Sequence, residues 1–364
     1  MNILVTGSNG FIGKNLITYL QLNSKSNISS FDRKKSLSSL LSLINDSDVI
    51  IHLAGSNREK RVQNFENNNQ KLTRFICENM KKNQKIFFSS TTLQSNNKPY
   101  VVSKNECEKI LKKYQRKIKY KLCIMKLNNI FGKGCKPYYN SVIATFCYSI
   151  PRNLPIRVNK SNKKIKFSFI EDLNLEILKL LNKKKIPKEY FIKKYYNLSV
   201  KQIYNYIKSF EENRKKLFSD GLSRGFLKKL YSVYLTYIPK KKLKNKLIIH
   251  KDKRGKFIEL LKNNNNGQIS FLTINPKKER GNHFHLTKVE RFYPLKGKGK
   301  IFFKQIGKNK KNVIYFDANY PEVIETIPGI AHKIVNTSSN EIFMLIWSNE
   351  IYVPKKPDTY EYKI

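Results

Sequence analysis

The chain has 364 residues, 40% of them hydrophobic, with 22 Phe and 21 Tyr, which argues against wholesale disorder and suggests about two domains. Lys and Arg number 72 against 26 acids, a net charge of +46; Lys, Asn and Ile are abundant together, so AT-rich coding accounts for much of it, with a modest preference for anionic ligands. No zinc-finger, RNP or recognition-helix pattern points to specific nucleic-acid binding, no apolar run reaches the ~20 residues of a membrane span, and five cysteines without a C-x-x-C pair or a basic leader predict a cytoplasmic protein with reduced thiols.

In chain order, residues 3–6 form a short apolar strand, followed by a Gly-rich turn and a helix from Ile12. The turn is Gly7-Ser8-Asn9-Gly10-Phe11-Ile12-Gly13, a G-x-x-G-x-x-G spacing between strand and helix. Glycines there permit a tight turn and close approach to a pyrophosphate, and the helix N-terminus offers amides to it. The site is therefore read as a dinucleotide cradle. A second strand ends at Phe31 and is followed by Asp32-Arg33-Lys34-Lys35. An acid at Asp32 suits the ribose 2′-hydroxyl of NAD, whereas Arg33 suits the 2′-phosphate of NADP. The basic neighbours favour NADPH, with NAD(H) as the alternative.

Residues 49–53 and 86–88 are further buried runs, separated by helical patterns at 69–80 and 105–114. Such alternation predicts a parallel α/β sheet. The strand end Ser89-Ser90-Thr91-Thr92 supplies hydroxyl donors. Tyr100 and Lys104, at i and i+4, share one helix face. A nearby ammonium can lower the phenol's pKa and let it exchange a proton with a carbonyl or alcohol oxygen.

The stretch 178–246 holds 20 basic and 4 acidic residues and ends in Pro239-Lys240-Lys241-Lys242, a linker composition. This places domains at 1–245 and 246–364. The aromatic stretch 230–238 is read as a packed helix at the domain junction rather than an interfacial membrane helix. Beyond 245, short runs at 257–261, 269–274, 300–305 and 342–347 alternate with turns, as in an all-β sandwich or barrel. Four of the five histidines lie here, three of them in His283-Phe284-His285 with Glu290 and in Pro328-Gly329-Ile330-Ala331-His332. His283 and His285 share a strand face, and Glu290 and His332 complete three nitrogens and one oxygen, a set suited to zinc or another borderline divalent metal. His52 is read as a packed residue near the cofactor.

The N-terminal part resembles the extended short-chain dehydrogenase/reductase family of sugar-nucleotide epimerases, dehydratases and reductases. The matching pieces are Gly7/Gly10/Gly13, Ile51-His52-Leu53-Ala54-Gly55, Ser90-Thr91, Tyr100/Lys104 and Asn128-Asn129-Ile130-Phe131-Gly132. The resemblance implies a Rossmann-type fold, with Asn9, Phe11, Ile12, Leu53, Ala54 and Gly55 bordering the cofactor. It implies that Thr91 or Ser90 polarises a sugar carbonyl, Tyr100 is the general acid, Lys104 positions the nicotinamide ribose and Asn129 touches the nucleotide sugar. Lys126 departs from the family, which usually has Arg there. The histidine segments are similar to both signature motifs of the cupin superfamily.

The combination, with segments 131–148, 230–239 and 357–360, resembles a family of bifunctional epimerase/reductases of capsular-polysaccharide synthesis. That resemblance implies a homodimer acting on a UDP-4-keto-6-deoxy-N-acetylhexosamine: the cupin epimerises carbon 3 and the reductase domain reduces carbon 4. The competing expectations are a reductase or epimerase of another nucleotide sugar with a non-catalytic cupin, and a charge-driven nucleic-acid or lipid binder.

Overall fold

The structure, a computed structural model, describes residues 1–58, 65–93, 98–158 and 163–364. It divides into two compact units, Met1–Ile207 with Lys229–Ile238, and Lys208–Lys228 with Pro239–Ile364. No helix among the described residues is long and apolar enough to cross a membrane.

The first unit alternates strands and helices, as the apolar runs predict. It runs β1 (Asn2–Thr6), α1 (Phe11–Asn23), β2 (Asn27–Phe31), α2 (Leu37–Asn45), β3 (Val49–His52), α3 (Lys71–Asn79), β4 (Lys85–Thr91), α4 (Pro99–Ile118) and β5 (Lys121–Leu127). Then come β6 (Asn129–Phe131), α5 (Val142–Ser149), β7 (Lys164–Phe169), α6 (Ile170–Leu181), β8 (Glu189–Phe191) and β9 (Tyr196–Ser199). The main sheet has the order β2-β1-β3-β4-β5-β8, all parallel. Side chains alternate between its faces. Ile3, Val5, Val49, Ile51, Phe87 and Met125 pack with α1 and α6 on one face. Leu4, Ile50, Ile86, Phe88 and Ile124 pack with α2, α3 and α4 on the other. Both faces are covered, so the strands read as continuous apolar runs rather than alternating ones.

Helix α4 begins at Pro99, well before the periodic segment at 105. Proline at the first helical position needs no amide partner and already has helical φ. This extension puts Tyr100 and Lys104 on the same helix. The helices α7 (Val200–Lys215) and α8 (Gly225–Tyr237) follow, and the division between the units falls within each. The predicted helix at 230–238 is α8; it buries Leu230, Val233 and Tyr234. At its end the Tyr237 hydroxyl donates to the Cys135 carbonyl, and Arg152 donates to the Tyr237 carbonyl.

The second unit is antiparallel β. Its strands are β10 (Ile249–Asp252), β11 (Gly255–Asn263), β12 (Gly267–Ile274), β13 (Glu279–Phe284), β14 (Glu290–Lys296), β15 (Lys298–Gln305), β16 (Lys311–Asp317), β17 (Ile324–Glu325), β18 (Ile330–Asn336), β19 (Ile342–Ser348) and β20 (Tyr360–Glu361). One sheet runs β10-β11-β12-β19-β14-β17 and the other β16-β15-β18-β13-β20. Leu272, Phe292, Ile301, Ile334, Met344 and Ile346 fill a shared apolar core. This is the all-β architecture that the turn-punctuated runs predict, and it is cupin-like, as the resemblance of the histidine segments implies. Residues Lys208–Lys228 group with it because Leu217 and Ser219 exchange backbone hydrogen bonds with Lys262 on β11, at 2.8 and 2.9 Å.

Candidate active site and candidate metal centre

The glycine turn leaves the C-terminal end of β1 and enters α1. Gly7 has φ +71°, and a Cβ there would sit 2.7 Å from the Ala54 amide nitrogen, so the backbones of the two strand ends touch. Helix α1 is capped by Gly10 with no side-chain hydrogen bond. Its first-turn amides are thus free to receive an anion, and the helix dipole favours one. Leu53, Ala54 and Gly55 leave the adjacent end of β3. Asp32 is already engaged: one carboxylate oxygen accepts from the Asn9 amide and the other from the Lys34 backbone amide at 2.7 Å. Arg33, exposed, donates to the Ser56 hydroxyl at 2.9 Å.

His52 is fully enclosed between Thr6 and Thr73. Thr73 donates to the Asn69 carbonyl, so its oxygen accepts from His52 Nε2–H; Nδ1 then accepts from Thr6, whose oxygen accepts the Ala54 amide. The ring is neutral. Burial, with Lys104 nearby, pushes its pKa down to about 3. It is a packed residue tying the ends of β1 and β3 to α3.

Lys104 is buried and its ammonium donates to the Ser89 carbonyl at 2.8 Å, 4.6 Å from the Phe88 ring centroid. Burial lowers its pKa to about 8, against the opposing pull of Cys107 and Glu108. Tyr100 departs from the sequence expectation of a lowered phenol pKa. Burial, with Cys107 adding to it, raises it to about 12. A phenol that stays protonated at neutral pH is the form needed to donate a proton. Its hydroxyl makes no hydrogen bond among the described residues.

The hydroxyls at the end of β4 differ in what they can still donate. Ser90 is buried and donates to Glu108, whose same oxygen takes the Lys126 ammonium at 2.7 Å. Thr92 donates to the Leu127 carbonyl at 3.2 Å. Thr91 only accepts, from the Leu93 amide at 3.1 Å, and keeps its proton for a ligand. Lys126 fills the usual arginine position by bridging Glu108 and, at 3.5 Å, Glu189.

A cavity of about 530 Å³ opens at the ends of β4 and β5, lined by Thr92, Asn128, Lys166, Glu189, Tyr190 and Tyr195 among others. Asn128 donates to the buried Ser168 hydroxyl at 3.1 Å. Asn129 is exposed and donates to the Lys166 carbonyl at 3.3 Å. Glu108 escaped the sequence reading, and Asn128 entered it only as part of the segment 128–132, with no role of its own. Glu108 carries a signal in retrospect: it sits four residues past Lys104, on the same helix stripe.

In the second unit the four expected ligands converge. One ligand atom from each of His283, His285, Glu290 and His332 lies within 4.8 Å of every other. His283 and His332 face each other in register on β13 and β18. Gly281, at φ +102°, makes that approach possible, because a Cβ there would sit 2.6 Å from the His332 carbonyl oxygen. Glu290 opens β14 on the opposite sheet and shares the inward face with Phe292. The cluster therefore bridges both sheets.

Glu290 Oε2 lies 3.3 Å from His285 Nε2 and 3.4 Å from His332 Nε2. Two ligands about 2.1 Å from a tetrahedral ion stand about 3.4 Å apart, so the spacing fits zinc. Burial pushes the Glu290 carboxyl up, but the two imidazoles outweigh it and hold it well below the carboxylate range. Burial, then His332, lowers His283 to about 4. Neutral imidazoles and an ionised carboxylate are the ligating forms. A cavity of about 280 Å³ joins His283, Glu290 and His332 to Phe257, Phe292, Arg254 and Arg280. Asp252 pairs with both arginines, at 2.6 and 3.1 Å. His250 is exposed on β10 and does not line this cavity.

Residues 3–193 match the model of the NAD dependent epimerase/dehydratase family, and residues 250–360 match the Polysaccharide biosynthesis C-terminal domain. The chain is 33% identical to the UDP-2-acetamido-2,6-beta-L-arabino-hexul-4-ose reductase of Pseudomonas aeruginosa, over 99% of this chain and 98% of the relative. The crystal structure of the capsular polysaccharide assembling protein CapF from Staphylococcus aureus covers 100% of both chains at 32% identity, with a TM-score of 0.90. UDP-glucuronic acid 4-epimerase from Bacillus cereus, solved with NAD, shares the fold at 20% identity, over 58% of this chain and 84% of that one, with a TM-score of 0.53.

Proposed function

The chain belongs to the NAD dependent epimerase/dehydratase family, and from that premise we propose that it is a bifunctional nucleotide-sugar enzyme of surface-polysaccharide synthesis. Residues 1–245 reduce carbon 4 of a UDP-4-keto-6-deoxy-N-acetylhexosamine with NADPH. Residues 246–364 epimerise carbon 3 with a divalent metal, zinc by its ligand set. The product is UDP-N-acetyl-6-deoxy-L-talosamine, and the enzyme is a cytoplasmic homodimer.

One observation carries the reading. A chain aligned end to end with a UDP-hexulose reductase holds both a hydroxyl–tyrosine–lysine set beside a glycine cradle and a three-histidine, one-carboxylate cluster in a β-sandwich cavity. NADPH is preferred because both Asp32 oxygens are already engaged, by Asn9 and by the Lys34 amide, with the cations of Arg33 and Lys34 next in the chain.

The residues divide the work. Gly7, Gly10 and Gly13 admit the pyrophosphate to the amides of α1. Asn9, Phe11, Ile12, Leu53, Ala54 and Gly55 wall the cofactor. Lys104 orients the nicotinamide ribose, and bound NADPH supplies the hydride. Thr91 donates a hydrogen bond to the carbon 4 oxygen, and Tyr100 delivers its proton there. Asn129 contacts the nucleotide sugar. His283, His285, Glu290 and His332 would hold the metal, which would supply Lewis acidity for the enolate charge while the carbon 3 proton passes to a base and a proton returns on the opposite face. The carbon 3 proton is acidified by the adjacent ketone.

The test combines purified protein, NADPH and the UDP-4-keto-6-deoxy sugar in deuterated water, with NADPH absorbance and product NMR as readouts. NADPH consumption with deuterium at carbon 3 is the expected result. Consumption without deuterium leaves a reductase with a binding-only cupin. Neither signal overturns the reading.

A further inference from the structure

The C-terminal residues 358–364 contribute no ligand to the cluster and do not line its cavity, yet they lace along the segment that carries two of its histidines. Strand β20 pairs His283 with Glu361 and Phe284 with Tyr360, and the Phe284 and Tyr360 rings stack with centroids 5.2 Å apart. The Tyr362 amide donates to the Asn282 carbonyl at 2.8 Å, and the Ile364 amide to the Asn282 side chain at 3.1 Å. Asp358 does most. Its Oδ1 accepts the Leu286 amide at 2.8 Å. Its Oδ2 accepts the Thr287 and Lys288 amides, each at 2.7 Å, and the Thr287 hydroxyl at 3.0 Å. Its backbone carbonyl accepts from His285 Nδ1.

We propose that the C-terminal segment is a strap for the metal centre and that Asp358 is the positioning residue for His285. The proposal rests on the reading of His283, His285, Glu290 and His332 as metal ligands. Two devices act together. The Asp358 carbonyl fixes the proton on Nδ1 of His285, which leaves the Nε2 lone pair for an ion. The Asp358 carboxylate meanwhile gathers three successive amides, so the turn after β13 cannot rotate and carry His285 away. His285 has already left the strand, which ends at Phe284, and the sheet alone does not orient it. The Lys288 ammonium, buried, adds a bond to the Thr359 hydroxyl at 2.8 Å.

The experiment uses the full-length protein stripped of metal and titrated with zinc ion against a chromophoric chelator, and with cobalt ion for its visible spectrum. Asp358→Ala keeps the backbone carbonyl on His285 but frees the three amides that the carboxylate holds, and the loosened turn is expected to weaken zinc binding about 10–100-fold, the scale of losing a group that orients a ligand. It is also expected to change the cobalt ligand-field bands, while far-UV circular dichroism remains that of the folded protein. A purely structural role would lower the melting temperature and leave those bands unchanged. Should Asp358→Ala lose the fold, Asp358→Asn takes its place. Its amide NH₂ must oppose either the Leu286 amide or the Thr287 and Lys288 amides, so weakening is expected there too. Unchanged zinc affinity and cobalt bands in the folded variant overturn the strap. His285→Ala is the control for the underlying reading. If His285→Ala binds zinc like the wild type, the metal centre itself is wrong. If His285→Ala fails to bind and Asp358→Ala binds normally, only the strap is.

Discussion

The two units build their sites in different ways. In the parallel sheet the candidate groups sit at the C-terminal ends of neighbouring strands, β1, β3, β4 and β5, and on the helix that follows β4. Each group is delivered by its own strand–helix step. In the antiparallel unit the candidate metal ligands come from two facing sheets and are brought together largely by strand register, with His283 opposite His332 and Glu290 across the core. The first site is a row of hydroxyls, a phenol and an ammonium. The second is a closed cluster of groups that have little reason to be buried together without an ion. The lesson is that the first site tolerates loss of a member as a graded loss of activity, whereas the second depends on the whole set.

Variants sharpen that contrast. The largest effect is expected from Glu290→Gln, which removes the charge shared by two imidazoles; zinc affinity should fall more than about 100-fold in a chelator competition. NADPH binding, read by fluorescence, should stay unchanged. Next, Thr91→Val should lower the rate of NADPH oxidation about 100-fold, since one preorganised donor to the reacting oxygen is lost. Ser90→Ala should leave that rate within a few-fold and instead cost about 1–3 kcal/mol of stability in denaturant melts, because a buried carboxylate loses a donor. The reverse ranking would move the catalytic hydroxyl to Ser90. Gly7→Ala should cost about 2–4 kcal/mol, from a left-handed backbone and a Cβ forced against Ala54.

The smallest effect is a pH dependence. Lys104 has its pKa lowered to about 8 in the folded chain by burial. The folded state thus sheds this proton before the unfolded state does. Stability contributed by this group therefore rises as pH climbs from about 8 toward the ordinary lysine value. Activity moves the other way: a reductase that uses the ammonium loses rate as pH rises through about 8. A pH–rate profile of the wild type should show that falling limb, and Lys104→Met should lack it.

Much of this was legible in the sequence where the signal is local. Gly7 announces a turn because its φ of +71° favours glycine, and Gly13 a close approach, because a Cβ there would sit 2.3 Å from the Gly7 carbonyl oxygen. Tyr100 and Lys104 announce one helix face by a four-residue step. His283, His285 and Glu290 lie close in sequence, and His332 is one of few remaining histidines. What stayed hidden depends on contacts between distant segments. Ser90 and Thr91 look equivalent until Glu108 on α4, itself held by Lys126 on β5, takes the Ser90 hydroxyl. The early start of α4 is set by Pro99 rather than by apolar periodicity. Asp358 lies 73 residues from the histidine it holds, and no spacing rule connects them.

The claim that the two sites are chemically independent has one direct measurement. Tyr100→Phe is incubated with the UDP-4-keto-6-deoxy sugar in deuterated water with NADPH present, and carbon 3 is followed by NMR. The account predicts deuterium entering carbon 3 at the wild-type rate while NADPH consumption falls about 10²–10⁴-fold. Loss of both signals together would contradict it, because exchange would then depend on the phenol of the reductase unit rather than on the histidine cluster.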